Sequence, residues 1–305
     1  MVRSAFEQIL AITAQEGELE ATVEYLTECL RPIVRQRESV LICFPRDVDS
    51  DLGSIAWKAV HNCGGIPVCW EQDLRWKELL RLAFVSRAAT IIAPPLVVLG
   101  LSKLATFQRV PLYLTNAVLA GYPCLEWMMD GIENGLDCRL WGVFGPGIQS
   151  ILSGFSCQCG RGVHIREDRF GIEIVDANGN ELPDGQYGRV MIYHQDLPEV
   201  FCEVPARGSI LDRRCPCGNP SVKLVGVDMG LRKESSLFKI AEELLYWNSI
   251  LDCRLERTPH GLEMEVVCFQ GEKMPRFPDC AKLVLRAWNP EKDIPLFLTN
   301  GWILP

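Results

Sequence analysis

Two short cysteine runs carry the clearest chemistry in this chain. The first is Cys157-Gln-Cys159-Gly160, followed by Gly162-Val-His164, and the second is Cys215-Pro-Cys217-Gly218. A glycine after paired cysteines lets backbone amides turn toward thiolate sulfur. Two such knuckles brought together supply soft sulfur and nitrogen donors, the tetrahedral set that zinc prefers. A site closed by four protein ligands would be structural, because catalytic zinc keeps an open position. Five side chains compete for the four places: Cys157, Cys159, His164, Cys215 and Cys217. The C-x-C spacing is weaker than C-x-x-C and leaves the choice open. Cys29, Cys43, Cys63, Cys69, Cys124, Cys138, Cys202, Cys253, Cys268 and Cys280 are scattered among apolar neighbours and read as small buried hydrophobes. Fourteen cysteines are about 5% of the chain, below the roughly 8–10% of a disulfide framework, so reduced thiols and metal ligands are expected.

Other reactive residue types lack partners in the sequence. Ser153 and Ser209 have no neighbouring His/Asp set, and neither sits in a nucleophile-elbow pattern. His61, His194 and His260 stand singly without ligand spacing. Gly64-Gly65 and Gly145-Pro-Gly147 read as turns, and the three arginines of Arg31–Arg37 read as a solvated helix face.

The cysteine runs must be positioned by elements that the hydrophobic pattern outlines. The first forty residues read as helix, with Ala5, Ile9, Leu10, Leu19, Val23, Leu26, Leu30 and Val34 at helical spacing. Short apolar runs then appear at Val40–Phe44, Ile66–Trp70, Thr90–Ala93, Pro111–Leu114 and Cys138–Gly142. Amphipathic stretches lie between them: Asp51–Cys63, Leu74–Ser86, Leu96–Phe107 and Pro123–Gly135. Strands alternating with helices in this way predict βαβ units and a mostly parallel sheet. From about residue 155 the pattern becomes β. Phe170–Asp176 and Gly188–His194 alternate as strands, and the turn-rich Ala177–Tyr187 between them predicts a long hairpin. The last part reads as a small α+β unit. It holds a helix over Ser236–Ser249, strands over Asp252–Arg257 and Leu262–Phe269, a further helix near Asp279–Arg286 and a final short strand.

Composition bounds what this assembly can be. The chain has 305 residues, 48% hydrophobic and 23% charged, as in an ordinary soluble globular protein of about two domains. Its longest uncharged stretch, Ala88–Ser102, is 15 residues with Pro94-Pro95 at its middle, short of the roughly 20 needed to span a membrane. Glu7 interrupts any apolar core of the signal-peptide kind. The net charge of −8 lacks the basic footprint of a nucleic-acid binder. A cytoplasmic protein that binds neither membrane nor nucleic acid is expected.

Several of these motifs together resemble a known family. Glu173-Ile-Val-Asp-Ala-Asn-Gly-Asn-Glu-Leu-Pro-Asp-Gly-Gln-Tyr-Gly188 resembles the E-I-x-D-x-x-G-x-x-L-P-x-G-x-x-G hairpin of adenylate-forming ligases. Cys157 with Val163-His164-Ile-Arg-Glu-Asp-Arg-Phe170, and then Cys215-Pro-Cys-Gly218, resemble the phenylacetate–CoA ligase branch. Ser50–Gly65 and Arg87–Ala105 are collinear with further family segments, so residues from about 40 to 305 can be laid on it. The resemblance favours Cys157 over Cys159 as the ligand beside His164, Cys215 and Cys217. It implies a truncated adenylate-forming architecture. Residues 1–225 would form an N-terminal domain, with an α/β layer over 40–150 and a zinc-stapled β subdomain over 155–225. Residues 226–305 would form a small lid-like α+β domain.

The family's nucleotide machinery fares differently under the same alignment. Its Ser/Thr/Gly-rich phosphate loop has no counterpart near Arg37–Pro45. Its aromatic-Gly-x-x-Glu motif falls on Trp141-Gly142-Val-Phe-Gly145, which puts glycine where the magnesium-binding acid would stand and Trp141 where an aromatic stacks on adenine. Its ribose-binding aspartate falls on Ser209, which cannot make the paired, charge-assisted contact of a carboxylate. Its catalytic lysine falls on Trp302 of Thr299-Asn-Gly-Trp302. Trp141, Gly142, Ser209 and Asp228 are therefore the candidate lining of a nucleotide or ligand pocket, with no catalytic residue among them. The resemblance implies a degenerate member that binds structural zinc but does not use ATP, Mg2+ and CoA by itself. It would bind an aromatic or acyl ligand, regulate, or pair with a catalytic partner. The alternative is an active acyl- or aryl-CoA ligase with non-standard nucleotide contacts or one completed by a second chain.

Overall fold

A computed structural model of the chain describes residues 4–44, 46, 51–70, 75–120, 124, 126–145, 152–159, 161–211, 214–228, 236–279, 282–293 and 295. Helices α1 (Ala5–Thr13) and α2 (Glu16–Leu30) open it. Ser4 caps α1 reciprocally: its hydroxyl accepts from the Glu7 N–H at 3.2 Å, and the Glu7 carboxylate accepts from the Ser4 N–H at 2.7 Å. The parallel layer follows as β1 (Ser39–Ile42), α3 (Leu52–Asn62), β2 (Ile66–Cys69), α4 (Trp76–Val85), β3 (Thr90–Ala93), α5 (Pro95–Gln108), β4 (Asn116–Leu119), α6 (Glu126–Leu136) and β5 (Arg139–Phe144). An antiparallel set continues it: β6 (Gly154–Ser156), β7 (Val163–Ile165), β8 (Phe170–Val175), β9 (Gly188–His194), β10 (Leu197–Ile210) and β11 (Lys223–Asp228). All eleven strands form one sheet, in the order β2-β1-β3-β4-β5-β6-β7-β11-β10-β9-β8. A separate sheet, β12-β13-β14, follows α7 (Ser236–Leu245), with β12 at Ile250–Thr258, β13 at Gly261–Cys268 and β14 at Lys282–Ala287. No described helix is long and apolar enough to cross a membrane.

The alternation of side chains along β1 divides the layer's core in two. Val40 and Ile42 face α2 and α3, packing with Leu26, Leu30, Ile55 and Val60. Leu41 and Cys43 face the other way, toward Trp76, Leu79, Val97 and Leu101 of α4 and α5. Helix α5 begins at Pro95, where a missing N–H and a preset φ suit the first turn. It is buried nearly all round because a second body lies on its outer side. Phe107 stacks on Phe269 at 4.2 Å, and Trp288 meets both rings edge-on. The Lys103 ammonium reaches across to the carbonyls of Leu245, Trp247 and Ile250, closing the end of α7. Gly100 of α5 makes room for Trp76 of α4; a Cβ there would lie 2.2 Å from the indole. At the other end of the molecule, α1 seats Ile9 in the core of the antiparallel set. Buried Arg166 ties that set to α2, donating to the Thr22 hydroxyl at 3.1 Å and lying over the Tyr25 ring.

Two expected elements differ in the structure. The strand expected at Pro111–Leu114 begins instead at Asn116. Pro111 has no N–H to give a ladder, and pairing starts where the Thr115 and Asn116 N–H groups both reach the Ala89 carbonyl. The helix expected near Asp279–Arg286 is the strand β14, parallel to β13. Its basic residues meet the acids of the neighbouring strand, Lys282 with Glu263 at 3.6 Å and Arg286 with Glu265 at 2.8 Å. Cross-strand charge pairing favours the extended form over helical spacing. A turn over residues 290–292 follows it, and a later final strand falls outside the described residues. The long hairpin forms as the turn chemistry implies: Phe170 pairs with His194 and Val175 with Arg189. Between them Asp176 accepts the N–H groups of Asn178 and Asn180, and Gly179 takes φ +88°.

Replacing Lys103 by methionine leaves three carbonyls without their donor and should lower stability by about 2 kcal/mol. Burial brings the Lys103 pKa down to about 7 from 10.5. Between these values the unfolded chain holds a proton that the folded chain has released, so this group's contribution to stability rises with pH. In chemical denaturation the gap between wild type and Lys103→Met should therefore widen from pH 7 to pH 10. Gly100→Ala should cost about 2 kcal/mol in the same assay by overpacking Trp76.

Candidate metal centre and nucleotide-site positions

The antiparallel part of the sheet brings four of the five candidate ligands together. Cys157 follows β6, His164 lies in β7, and Cys215 and Cys217 sit in the connection between β10 and β11. Their ligand atoms all lie within 4.8 Å of one another. The Cys157 and Cys215 sulfurs are 3.6 Å apart, and Cys217 Sγ is 3.2 Å from His164 Nε2. A tetrahedral ion with bonds of about 2.0–2.3 Å needs donor separations of roughly 3.3–3.8 Å, and these two separations lie in or next to that range. Cys159 is not in this group; its carbonyl accepts from Lys223 at 2.8 Å.

Each ligand is aimed by local structure. His164 Nδ1 is 2.9 Å from the Ser221 carbonyl. A carbonyl only accepts, so Nδ1 carries the proton and the Nε2 lone pair faces the sulfurs. Gly218 takes φ +83°, a conformation that suits glycine, and the chain turns there so that the Asn219 N–H points to Cys217 Sγ at 3.4 Å. Burial acts to raise the Cys215 thiol. Hydrogen bonds to the Cys215 sulfur, that of the Cys217 backbone N–H foremost, outweigh it and bring the pKa down to about 6. Cys217 is pushed up to about 11, by burial and then by the adjoining thiols. One thiolate forms readily here, and a second needs added positive charge.

Part of that charge comes from a residue that the sequence reading did not single out. Lys223, only 4% exposed, places Nζ 3.3 Å from Cys157 Sγ and 3.5 Å from Cys215 Sγ. It lies directly across from His164 in the β7–β11 ladder. A lone lysine at the start of an apolar strand carries no sequence signal; only strand pairing puts it there. Three thiolates, a neutral imidazole, a divalent ion and this ammonium sum to zero net charge.

The nucleotide-site positions are placed differently. Trp141 is an interior residue of β5, 8% exposed, and packs near Phe155. Its Nε1–H donates to Asn116 Oδ1 at 3.0 Å, and the Arg139 guanidinium covers one face at 4.5 Å. The Gly142 N–H donates to the Ser156 hydroxyl at 2.8 Å. Ser209 pairs with Val225, and Asp228 with Arg207, in the β10–β11 ladder. Three strands stand between β5 and β10 in the sheet. Gly145 ends the described part of its motif, and Thr299–Trp302 lie outside the described residues.

Comparison with solved structures settles the architecture. A 2-hydroxyisobutyryl-CoA ligase in the postadenylation state superposes with a TM-score of 0.64 at 12% identity, over 84% of this chain and 59% of that one. The same ligase in its thioesterification state gives 0.62 at 13%, over 89% and 66%. A benzoate–CoA ligase from Burkholderia xenovorans gives 0.52 at 11%, over 92% and 65%. This chain has the fold of these CoA ligases. It spans about three fifths of the length of the first of them. No family model matches the sequence, and no curated protein matches it. The adenylate-forming fold expected from the hairpin and cysteine motifs is thus present at an identity too low to carry residue roles across.

Trp141 behaves as a core residue, so Trp141→Ala should destabilise the fold by about 3–5 kcal/mol in urea denaturation. An open stacking platform at this position would lose less than about 1 kcal/mol.

Proposed function

We propose that this chain is a phenylacetate–CoA-ligase-like scaffold with a structural zinc ion and without ATP-dependent adenylation of its own. Its work is binding, regulation or pairing with a catalytic partner, and its small-molecule ligand is aromatic or acyl in character. One observation carries the reading. Trp141, which the family alignment puts at the adenine, has its edge bonded to Asn116, its face covered by Arg139 and its body in the core. A nucleotide base would have to displace all three. Glycine at position 145 and serine at 209 support the same conclusion, because neither can supply a carboxylate to magnesium or ribose. Adenylyl transfer rests on positioning and electrostatic stabilisation, and these side chains offer little of either.

Zinc is the ion proposed for the cluster because three sulfurs and one imidazole nitrogen are its preferred structural set. Cys157, His164, Cys215 and Cys217 would hold it, with Ser221 orienting the imidazole and Lys223 balancing charge. When bound, zinc supplies a cross-link rather than a reaction, since four protein ligands leave no position for substrate. The division of the chain at 225/226 into a ligase-like body and a small lid-like unit belongs to the same proposal. The net charge of −8 favours partners other than nucleic acid.

Calorimetric titration of the metal-replete protein with Mg-ATP and then AMP should give no heat, with thermal shift in agreement. Micromolar binding, followed by pyrophosphate release with an aryl or acyl acid, would overturn the proposal in favour of an active CoA ligase. Elemental analysis should find one zinc per chain. Cys157→Ser, Cys215→Ser and Cys217→Ser should each lose it, while Cys159→Ser keeps it; equal metal content in all four would remove the assignment.

A further inference from the structure

The end of α7 presents large aromatic rings to water. Tyr246 is 67% exposed and Trp247 is 37% exposed, although rings of this size bring most to a protein when buried. Beside them stands Trp127 of α6, whose ring meets Tyr246 edge-on at 5.9 Å and an interplanar angle of 64°. The three rings line one cavity of about 750 Å³ together with Glu242, Glu243 and Arg276. We infer that this aromatic recess is a binding site for a quaternary or methylated ammonium group, a feature separate from the metal cluster and from Trp141.

The chemistry of the walls selects the ligand. Rings attract cations through the negative potential over their faces, Trp most strongly and Tyr next. The Trp127 indole N–H donates to Glu242 Oε1 at 2.9 Å. Donation to a carboxylate pushes electron density into the indole and strengthens its attraction for a cation. Glu242 and Glu243 set a negative field that repels anionic ligands. A bare metal ion or a primary ammonium needs several oxygen acceptors to replace its water, and of the two lining carboxylates Glu242 is already engaged by Trp127. An N-methylated cation is weakly hydrated and presents methyl groups to the rings, so it loses least on entry. Exposed Arg276 also lines the recess and is the chain's own competing cation.

The recess is also held in shape. Lys103 pins the carbonyls of Leu245 and Trp247 on either side of Tyr246. The Tyr246 N–H donates to the Glu242 carbonyl at 2.9 Å and the Trp247 N–H to that of Leu244 at 3.1 Å. Rings fixed before the ligand arrives need little ordering on binding.

The test uses the full chain, choline as probe, and 3,3-dimethylbutan-1-ol, which has the same shape without the charge. Saturation-transfer NMR and titration should show saturable choline binding, with the neutral twin at least about tenfold weaker. Tyr246→Ala and Trp247→Ala alter exposed side chains, and circular dichroism checks that they fold; each should weaken choline about tenfold. Glu243→Gln should weaken it severalfold, and Arg276→Ala should tighten it. No saturable binding overturns the inference. Equal binding of choline and the neutral twin overturns it too, because the recess would then be an apolar patch. So does a folded Trp247→Ala protein that binds choline like wild type.

Discussion

Three sulfur atoms and an imidazole nitrogen within 4.8 Å of one another make a single demand on their surroundings: negative charge must be matched there or never form. The antiparallel half of the sheet is arranged around that demand. Lys223 comes from β11, His164 from the opposite position on β7, and the two cysteine turns close from either side. The strands concerned are short, three residues each for β6 and β7, and their ladders alone hold little. A metal cross-link between Cys157, His164 and the Cys215–Cys217 turn would fix the register of β6, β7 and β11 together. Through β5 this same register continues into the parallel layer. Metal affinity and folding free energy would be one quantity here.

The parallel layer carries its own constraint on the opposite side. Helix α5 is buried nearly all round, so it needs a partner on each face. The sheet serves one face, and Phe269, Trp288 and the β12 strand serve the other. Lys103 is committed to that seam, and its burial is tolerable because three carbonyls receive it. In this arrangement the small sheet is part of the packing of the α/β layer. Any large excursion of the C-terminal unit would have to separate Phe107 from Phe269 and uncover the lysine.

Much of this was legible in the sequence where the cause is local. The apolar spacing of α3 to α6, the short apolar run of Val40–Phe44 and the turn chemistry of Asp176–Asn180 each act within a few residues. The two Cys-x-Cys-Gly runs do come together in space, with Cys157 and not Cys159 beside His164, Cys215 and Cys217. What escaped depends on pairing between distant segments. Lys282–Ala287 reads equally as helix or strand until Glu263 and Glu265 lie alongside. The start of β4 is decided by the Ala89 carbonyl, not by the apolar run before it. Lys223 and Arg139 acquire their roles only when a facing strand or ring is present. The fate of Trp141 turns on Asn116, twenty-five residues away at the start of β4.

Hydrogen exchange of the full chain before and after metal removal by a zinc chelator tests the central claim most directly. If the cluster is the cross-link that holds the antiparallel register, protection should fall sharply over residues 154–165 and 214–228 and stay high over β1, β3 and β4. Unchanged protection over those two segments in metal-free protein would contradict it.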